Sequence, residues 1–184
     1  MEDRRLFEQD DVSSYSWVKI NLAGTDNTIT KQRALLTKQY IVKPALDVGC
    51  NIGGYTIFCE CQVGLDFVKK HLVKAKVDCD RIDWVCGCAE CLPFKDKTFE
   101  TVIMTEIIEH VENPDVLLRE GCRVGERIIL TTPLDYVDAM GHVRLYTVDL
   151  LLEQLFKYVK VTVLKILREK NNIRMAFIVG ECNV

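Results

Sequence analysis

The sequence lacks the features that mark membrane proteins and strongly basic nucleic-acid-binding proteins. No apolar run approaches the roughly 20 residues of a membrane span. The formal net charge is only −3 at pH 7, so no strong overall field attracts nucleic acid or an anionic membrane. Internal repeats and low-complexity tracts are also absent. These absences favour a soluble globular protein that acts on small or neutral substrates and has no membrane partner. Nucleic acid is not excluded as a partner, because a local basic patch could still bind it.

Cysteine, in contrast, is abundant, with nine residues in a chain of 184. The count is odd, the positions are scattered, and the first residues, MEDRRLFEQDD, do not resemble a signal peptide. The spacing Cys86-x-Cys88-x-x-Cys91 raises the question of zinc, but a structural zinc site usually pairs two knuckles on loops, and Cys86 ends the strand-like segment RIDWVC. We therefore expect reduced, buried thiols in a cytoplasmic protein.

From residue 28 onward, strand-like and helix-like segments alternate along the chain. The strand-like segments are PALDVG, QVGLD, RIDWVCG, FETVIMT, ERIILTT, YVKVTVLKILRE and IRMAFIVGE. The helix-like segments include TITKQRALLTKQYI, GGYTIFCE, FVKKHLVKAK, IIEHV, DVLLREGCRV and VDLLLEQLFKY. Alternation with short loops predicts a parallel sheet covered by helices on both faces. The last two strands flank Lys170, Asn171 and Asn172, which predict a hairpin and an antiparallel final strand.

The expected fold class is therefore α/β, with a single doubly wound, Rossmann-like sheet of seven strands that is mostly parallel and has an antiparallel C-terminal hairpin strand. The length suits one domain with a continuous core, so residues 1–184 are expected to form a single domain. Within it, residues 1–27 lack a clear period and are expected to form an N-terminal arm or partial lid. Residues 28–184 then form the Rossmann-like catalytic core.

The stretch ALDVGCNIGGYT, residues 45–56, joins the first strand to a helix through a glycine-containing turn. In an open parallel sheet, ligands bind beyond the carboxyl ends of the strands, and the first such loop is the usual place. Gly49 and Gly53 lack a Cβ and let the backbone approach a ligand, and Asn51 is a residue that tolerates a left-handed conformation. The pattern alone would allow a dinucleotide, or a tight turn with no ligand.

Two acids narrow the choice of ligand. Asp47 ends the first strand, where its charge would repel a pyrophosphate and attract an ammonium group. Asp66 ends the next strand and suits a ribose diol, whose hydroxyls donate to carboxylate oxygens. A ligand with an amino acid at one end and a nucleoside at the other satisfies both acids, and S-adenosyl-L-methionine is such a ligand.

Several segments in order resemble the class I S-adenosylmethionine-dependent methyltransferases, of the methyltransferase type 11-like group. They are LDVGCNIGG, VGLDFVKKHLVKAK, GCAECLPFKDKTFETVIMTEIIEHVENPDVLLREGCRV, RIILTTP and GHVRLYT, and together they run from about Lys43 to Thr147. The resemblance implies S-adenosyl-L-methionine as cofactor. It assigns to the cofactor site Asp47, Gly49, Cys50, Asn51, Gly53, Asp66, Phe67, Cys88, Ala89, Glu90 and Thr105.

By this resemblance, Asp66 takes the ribose hydroxyls, Phe67 lies beside the adenine and Thr105 lies under the sulfonium. The adenine ring would meet the backbone of Ala89. Members of the family often carry Asp just before that alanine, where it accepts from the adenine amine, whereas this chain has Cys88, a weak acceptor. Recognition of adenine would then depend on backbone groups or on Glu90.

The segment EIIEHV contains the strongest candidates for chemistry. On a predicted helix, Glu106, Glu109 and His110 are at i, i+3 and i+4 and share one face, and His142 follows a loop that should return to the same end of the sheet. Two carboxylates and two imidazoles could bind a divalent ion, with Mg²⁺ or Mn²⁺ as the candidates. The arrangement is similar to that of metal-dependent O-methyltransferases of small-RNA 3′-terminal riboses and of ubiquinone biosynthesis.

A simpler explanation is that acids in a first helical turn stabilise the helix dipole, with no metal. His142 would then act as a base or position the substrate, with Glu106 as the second catalytic candidate. His71 lies in a Lys-rich helix and is expected to be a solvated surface residue.

The leading hypothesis is a methyltransferase that acts on a small-molecule or nucleoside acceptor. Its most specific version is metal-assisted O-methylation of a hydroxyl or diol. One alternative is an RNA or tRNA methyltransferase, although the basic stretches, KQR, KQYIVK and FVKKHLVKAK, are sparse. A second alternative is a non-catalytic cofactor-binding scaffold or activating subunit of a partner enzyme. The intact acids and glycines of the predicted pocket weigh against it.

Overall fold

The computed structural model of the chain describes residues 29–134, 141–168 and 173–183. The expected N-terminal arm, residues 1–27, and the predicted turn residues Lys170, Asn171 and Asn172 lie outside the described residues. Among the helices described, none combines the length and the apolar character that crossing a membrane requires.

The helices are α1 (Ile29–Tyr40), α2 (Gly54–Cys59), α3 (Lys69–Asp78), α4 (Pro114–Val124) and α5 (Val148–Leu155). The strands are β1 (Ala45–Val48), β2 (Val63–Asp66), β3 (Asp83–Cys86), β4 (Phe99–Thr105), β5 (Gly125–Leu134), β6 (Val159–Arg168) and β7 (Arg174–Cys182). The strands form one sheet in the order β3-β2-β1-β4-β5-β7-β6. The first five strands are mutually parallel, and β7 runs antiparallel to both β5 and β6, which confirms the predicted fold class.

The sheet order reverses between β1 and β4, because the chain moves outward from β1 to β3 and then crosses back to β4. A crevice opens at such a point, since the loops that follow the two central strands turn to opposite sides of the sheet. Every residue of β1 is buried, as expected for a central strand covered on both faces. The loops after β1 and β4 are therefore the parts of the fold that surround a ligand site.

Helices pack on both faces of the sheet. On one face, α4 begins at Pro114 after the cap Asn113, whose side chain accepts a hydrogen bond from the Val116 backbone N–H at 3.3 Å, and it buries Leu117 and Leu118. On the other face, a second core forms from Ile29 and Ala34 of α1, Ala45 of β1, Tyr55 of α2 and Phe177 of β7. The helix α5 has a similar cap, since Thr147 Oγ1 accepts from the Leu150 N–H at 3.2 Å.

The cysteines differ from the expectation in part. All nine are free thiols. Cys50, Cys59, Cys61 and Cys122 are buried as expected, and Cys79 and Cys182 are intermediate. Cys86, Cys88 and Cys91 are exposed, so for these three the expectation of burial was wrong. They belong to the end of β3, which is an edge strand of the sheet, and to the turn that follows it.

Candidate cofactor and acceptor site

The turn after β1 has the conformation that its glycines predict. Gly49 and Gly53 have φ angles of 74° and 79°, and Asn51 has the left-handed φ of 50° expected of it. A Cβ placed on Gly53 would lie 2.4 Å from Trp84 Cη2, and one on Gly49 would lie 2.8 Å from Ile107 Cδ1. The glycines are therefore required both by backbone conformation and by the close packing of the turn.

Asp66 holds this turn against the end of β2. Its two carboxylate oxygens accept hydrogen bonds from the backbone N–H groups of Asn51 and Val68, each at 2.8 Å. The N–H groups of Gly49 and Cys50 both donate to the Leu65 carbonyl, at 2.8 and 3.0 Å. A carboxylate oxygen has more than one acceptor position, so Asp66 can hold the turn and still accept from two hydroxyls of a ligand.

His71, on the first turn of α3, also approaches Asp66. Its Nδ1 lies 3.5 Å from Asp66 Oδ1, and only 11% of the His71 side chain is exposed. The expectation of a solvated surface histidine was therefore wrong. The lysines of this helix lie toward solvent, while His71, Leu72 and Ala75 form its buried face. The imidazole of His71 therefore lies next to the carboxylate of Asp66.

Asp47 is almost completely buried, with 1% of its surface exposed. Its Oδ2 accepts a hydrogen bond from Thr56 Oγ1 at 2.7 Å, whereas its Oδ1 has no hydrogen-bond partner in the described part of the chain. Burial raises the pKa of Asp47 to about 7, although the hydrogen bond from Thr56 and the charge of Arg33 act in the opposite direction. A buried carboxylate with one unpaired oxygen is well suited to accept a hydrogen bond from a cationic ligand group.

Arg33 on α1 is a site residue that the sequence patterns did not identify. Its guanidinium lies over the ring of Tyr55, 5.3 Å from the ring centroid, and forms an ion pair with Glu106. The negative charges of Glu109 and Asp47 also act on Arg33, while burial lowers its pKa. The sequence does contain a pattern that indicates burial of Arg33. Ile29, Arg33 and Thr37 follow one another at intervals of four residues and lie on the buried face of α1.

The segments expected around adenine meet at the ends of β2 and β3. Phe67 is exposed just after β2, where its carbonyl accepts from the Cys86 thiol at 3.6 Å. The Gly87 N–H donates to the Asp66 carbonyl at 3.1 Å, which brings the residues that follow β3 alongside Asp66. Cys88 and Cys91 then pair across a tight turn that contains Ala89 and Glu90. Phe67 and this turn therefore occupy the same edge of the sheet.

After β4 the chain does not form the helix predicted for EIIEHV. Residues 106–113 are turn and irregular structure, and the helix starts at Pro114. The reason is local, because Glu106 has a left-handed φ of 51° and its N–H donates to the Thr131 carbonyl of β5 at 2.9 Å. Thr105 is half-buried at the end of β4, and the Glu106 side chain turns toward Arg33.

Three of the four predicted metal ligands nevertheless come together. Ligand atoms of Glu109, His110 and His142 all lie within 4.8 Å of one another, and no other such group occurs among the described residues. Glu106 is not a member of this cluster. The side chains converge through a turn and a returning loop, because the Val143 N–H donates to the Glu109 carbonyl at 3.0 Å. The prediction of a shared helix face was thus wrong, whereas the convergence of these three residues is observed.

The three side chains of this cluster are held in defined orientations. Glu109 is buried, and its Oε2 accepts from Thr132 Oγ1 at 3.1 Å, while Oε1 has no hydrogen-bond partner within the described ranges. Burial raises the pKa of Glu109 to about 7. His110 Nδ1 lies 3.0 Å from the Gly141 carbonyl, and the His110 and His142 rings pack edge to face with centroids 4.7 Å apart. With Nδ1 donating to that carbonyl, the remaining ring nitrogen of His110 is an acceptor.

A family model described as a methyltransferase domain matches residues 46–127 of the chain. The chain is similar to norajmaline N-methyltransferase of Rauvolfia serpentina, with 32% identity over 94 residues that cover 45% of this chain and 32% of the plant enzyme. An uncharacterised protein of Methanocaldococcus jannaschii is 29% identical over 116 residues, which cover 57% of this chain and 47% of that protein. The chain thus spans a third to a half of the length of these curated relatives.

The fold is shared with many solved structures. The [4+2]-cyclase SpnF superposes with a TM-score of 0.72 at 15% identity, covering 83% of this chain and 81% of the cyclase. A Thermotoga maritima protein, described as a S-adenosylmethionine-dependent methyltransferase and a possible histamine N-methyltransferase, gives 0.69 at 16% identity and covers 81% of this chain and 86% of its own. The family match covers residues 46–127, and the glycine turn and the sheet order agree with it, while the solved structures, at 15–16% identity, show the shared fold alone.

Proposed function

We propose that this chain binds S-adenosyl-L-methionine at the β1–β4 crevice and transfers its methyl group to a small-molecule or nucleoside acceptor. The observation that carries the proposal is the pair of buried acids at adjacent strand ends, Asp47 and Asp66, joined by a turn of left-handed residues. Because one fold can host unrelated reactions, as the cyclase among its structural neighbours illustrates, the proposal depends on this site and not on the fold.

The methionine end of the cofactor would lie between Asp47 and Arg33. The ammonium group would donate to the unpaired Oδ1 of Asp47, and the carboxylate would accept from the Arg33 guanidinium, whose Nε has no hydrogen-bond partner among the described groups. Two oppositely charged side chains would thus meet the two oppositely charged groups of one amino acid. This arrangement explains why Arg33 is buried beside the first strand end.

The nucleoside end would lie along β2 and β3. Asp66, already fixed by two backbone N–H groups, would accept from the ribose hydroxyls, and the exposed ring of Phe67 would lie against the adenine. The backbone of Ala89 and the side chain of Glu90 are the candidate partners of the adenine edge. Cys88 contributes little as an acceptor, since a thiol sulfur accepts hydrogen bonds weakly.

Methyl transfer itself is an in-line displacement. A lone pair of the acceptor forms the new bond to the methyl carbon as the carbon–sulfur bond breaks, and the sulfonium becomes the neutral thioether of S-adenosylhomocysteine. The positive sulfur already activates the methyl group, so alignment is the main task of the protein and can supply several kcal/mol, up to about 7–11. Thr105, at the end of β4, would lie under the sulfonium, and a base is needed only for an acceptor that keeps its proton.

Glu109, His110 and His142 would hold a divalent ion on the acceptor side. The donor set fits, because Glu109 Oε1 is buried without a partner and the hydrogen bond between His110 Nδ1 and the Gly141 carbonyl orients that ring as metal-binding histidines usually are oriented. Two imidazoles with one carboxylate favour Mn²⁺ over Mg²⁺, which prefers oxygen ligands. When bound, such an ion lowers the pKa of a coordinated hydroxyl, consistent with O-methylation. Without an ion, His142 is the candidate base.

Calorimetric titration with S-adenosylhomocysteine tests the proposal directly, because this product retains both ends of the cofactor. We expect binding by the isolated chain and release of labelled S-adenosylhomocysteine from S-adenosyl-L-methionine with at least one acceptor in a panel of hydroxyl and amine nucleophiles. Binding without turnover across the panel would favour a cofactor-binding scaffold. No binding at all would reject the proposed site.

A further inference from the structure

The turn after β3 brings two exposed cysteines face to face. Cys88 and Cys91 are partners in an isolated antiparallel bridge, and the Cys91 N–H donates to the Cys88 carbonyl at 3.2 Å. Directly opposed residues in such a pair lie about 4.5–5.5 Å apart at Cα and project their side chains to the same face. A disulfide requires a Cα separation of about 4.4–6.8 Å, a range that includes the separation expected of such a pair.

The turn is fixed at both ends by contacts that do not involve the thiols. On the upstream side, the Gly87 N–H donates to the Asp66 carbonyl at 3.1 Å. On the downstream side, the Leu92 N–H donates to Glu120 Oε2 at 2.8 Å and the Leu92 carbonyl accepts from Arg123 Nη2 at 2.9 Å. Little chain entropy is therefore left to lose when the turn is closed by a covalent bond.

Exposure separates these two thiols from the buried cysteines of the chain. Burial raises the pKa of the Cys50, Cys59 and Cys61 thiols well above the usual value, which suppresses their reactive thiolate forms. Cys88 and Cys91 are both exposed to solvent and to small reagents. The nearby exposed Cys86 lies within β3, in register with Asp66, and its thiol donates to the Phe67 carbonyl. It is therefore held apart from the pair by the sheet.

We propose that Cys88 and Cys91 are a modification site that forms a reversible disulfide by exchange with a small-molecule disulfide such as oxidised glutathione. One cysteine thiolate attacks the reagent, forms a mixed disulfide and releases one equivalent of small thiol. The second cysteine then attacks the mixed disulfide and releases the other equivalent. The two protein thiols are oxidised, the one reagent disulfide is reduced to two thiols, and the protein's two thiol protons end on those thiols.

The modification has a consequence for cofactor binding, and this part rests on the proposed function. The turn carries Ala89 and Glu90, the candidate partners of adenine, and it is bonded through Gly87 to the Asp66 backbone. A covalent bond between Cys88 and Cys91 removes the freedom that Ala89 and Glu90, between the two fixed ends, retain to adjust to the adenine ring. We expect the oxidised chain to bind S-adenosylhomocysteine about fivefold more weakly than the reduced chain, equivalent to about 1 kcal/mol.

The disulfide itself is tested on the full chain without any cofactor. The reduced protein is incubated with oxidised glutathione, alkylated and mapped by peptide mass spectrometry. We expect an intramolecular Cys88–Cys91 linkage in the wild type and in the matched control Cys86→Ser, whereas Cys91→Ser should stop at a glutathione adduct on Cys88. Glutathione adducts without the internal bond, or a bond that includes Cys86, would overturn the assignment.

The effect on the cofactor is measured separately, by calorimetry with S-adenosylhomocysteine before and after oxidation. The double variant Cys88→Ser/Cys91→Ser can form neither the internal disulfide nor a glutathione adduct at these two positions, so we expect its affinity to change less on oxidation than that of the wild type. Equal affinities of reduced and oxidised wild type would remove the link to cofactor binding. If the disulfide forms but no state of the chain binds S-adenosylhomocysteine, the proposed function fails while the modification site stands.

Discussion

The turn after β1 and the segment after β4 both follow central strands of the sheet, but they are held in place by different contacts. The turn after β1 is tied to the end of the adjacent β2 through Asp66 and the Leu65 carbonyl. The segment after β4 is shaped by residues far along the chain, since Glu109 is bonded to Thr132 and to Val143, and His110 to Gly141. The proposed cofactor side thus depends on neighbouring strand ends, and the proposed acceptor side depends on β5 and on the loop around Gly141 and Val143.

The two regions also differ in their charge. The proposed cofactor side combines two buried acids with the guanidinium of Arg33, which suits a zwitterionic amino acid and a ribose. The acceptor side combines one buried acid, Glu109, with two imidazoles, which suits a transition metal ion. Ligands that contact only one of the two regions can therefore be used to test the role of each region separately.

Removal of divalent ions should have the largest effect, confined to the acceptor side. We expect dialysis against a chelator to lower turnover at least about a hundredfold, equivalent to about 3 kcal/mol of barrier, because the proposed ion would polarise the acceptor oxygen. Added Mn²⁺ should restore turnover better than Mg²⁺. S-adenosylhomocysteine affinity, measured by calorimetry, should stay the same.

Two variants sharpen this test through direct Mn²⁺ binding measured by electron paramagnetic resonance. Glu109→Gln should lose the bound ion, whereas Glu106→Gln should retain it because Glu106 lies outside the cluster. Turnover that is indifferent to chelator, or Mn²⁺ bound equally by both variants, would reject the metal site.

Asp66→Ala should have the next largest effect, on the cofactor side. We expect at least a tenfold loss of S-adenosylhomocysteine affinity, or about 1.4 kcal/mol, because the ribose hydroxyls and the Asn51 N–H lose their acceptor. 5′-Methylthioadenosine, which lacks the amino acid, should lose affinity by a similar factor. Asp80→Ala, at an exposed acid outside the site, serves as the control. An unchanged affinity in Asp66→Ala would contradict the assignment of Asp66 to the ribose hydroxyls.

Arg33→Met should discriminate between the two ends of the cofactor. We expect about a fivefold loss of S-adenosylhomocysteine affinity, because its carboxylate loses a charged partner, with no loss for 5′-methylthioadenosine. Calorimetry with both ligands measures this difference, and a thermal melt checks the fold. If both ligands lose affinity equally, Arg33 acts on the structure of the pocket and not on the carboxylate.

The smallest effect is a pH dependence that belongs to Asp47. Its pKa is raised to about 7 by burial, so its carboxyl becomes charged as the pH rises through that value. S-adenosylhomocysteine affinity should therefore increase about threefold between roughly pH 6 and 8, and Asp47→Asn should abolish the increase. A wild-type affinity that is flat with pH would argue against an ammonium contact at Asp47.

The raised pKa of Asp47 also determines how the folding stability of the ligand-free chain changes with pH. Because the pKa in the folded chain lies above the ordinary value of 3.8, the contribution of Asp47 to stability is fully present below that ordinary value and is lost as the pH rises through about 7. Asp47→Asn should raise the melting temperature of the ligand-free chain at about pH 8 more than at about pH 5. Equal shifts at both pH values would contradict the raised pKa.

Local sequence patterns predicted most of the fold, and their errors have identifiable causes. The strands, the parallel core and the antiparallel final strand were predicted from apolar content and short loops. The helix over EIIEHV was wrong because the Glu106 backbone bonds to Thr131 on β5 and turns left-handed, a contact with no signal in neighbouring residues. His71 was misplaced because the lysines around it hid its buried position on α3.

The sequence alone determined the doubly wound sheet, the left-handed turn with Asn51, and the positions of Asp47 and Asp66 at strand ends. These depend on residue type and short spacing, because alternation of strands and helices restricts the topology and each acid directly follows an apolar run. Only the tertiary structure decided that Arg33 pairs with Glu106, that Glu106 lies outside the cluster of Glu109 and His110, and that Cys88 faces Cys91. Those contacts arise from the way strand ends and distant loops meet, which residue spacing does not encode.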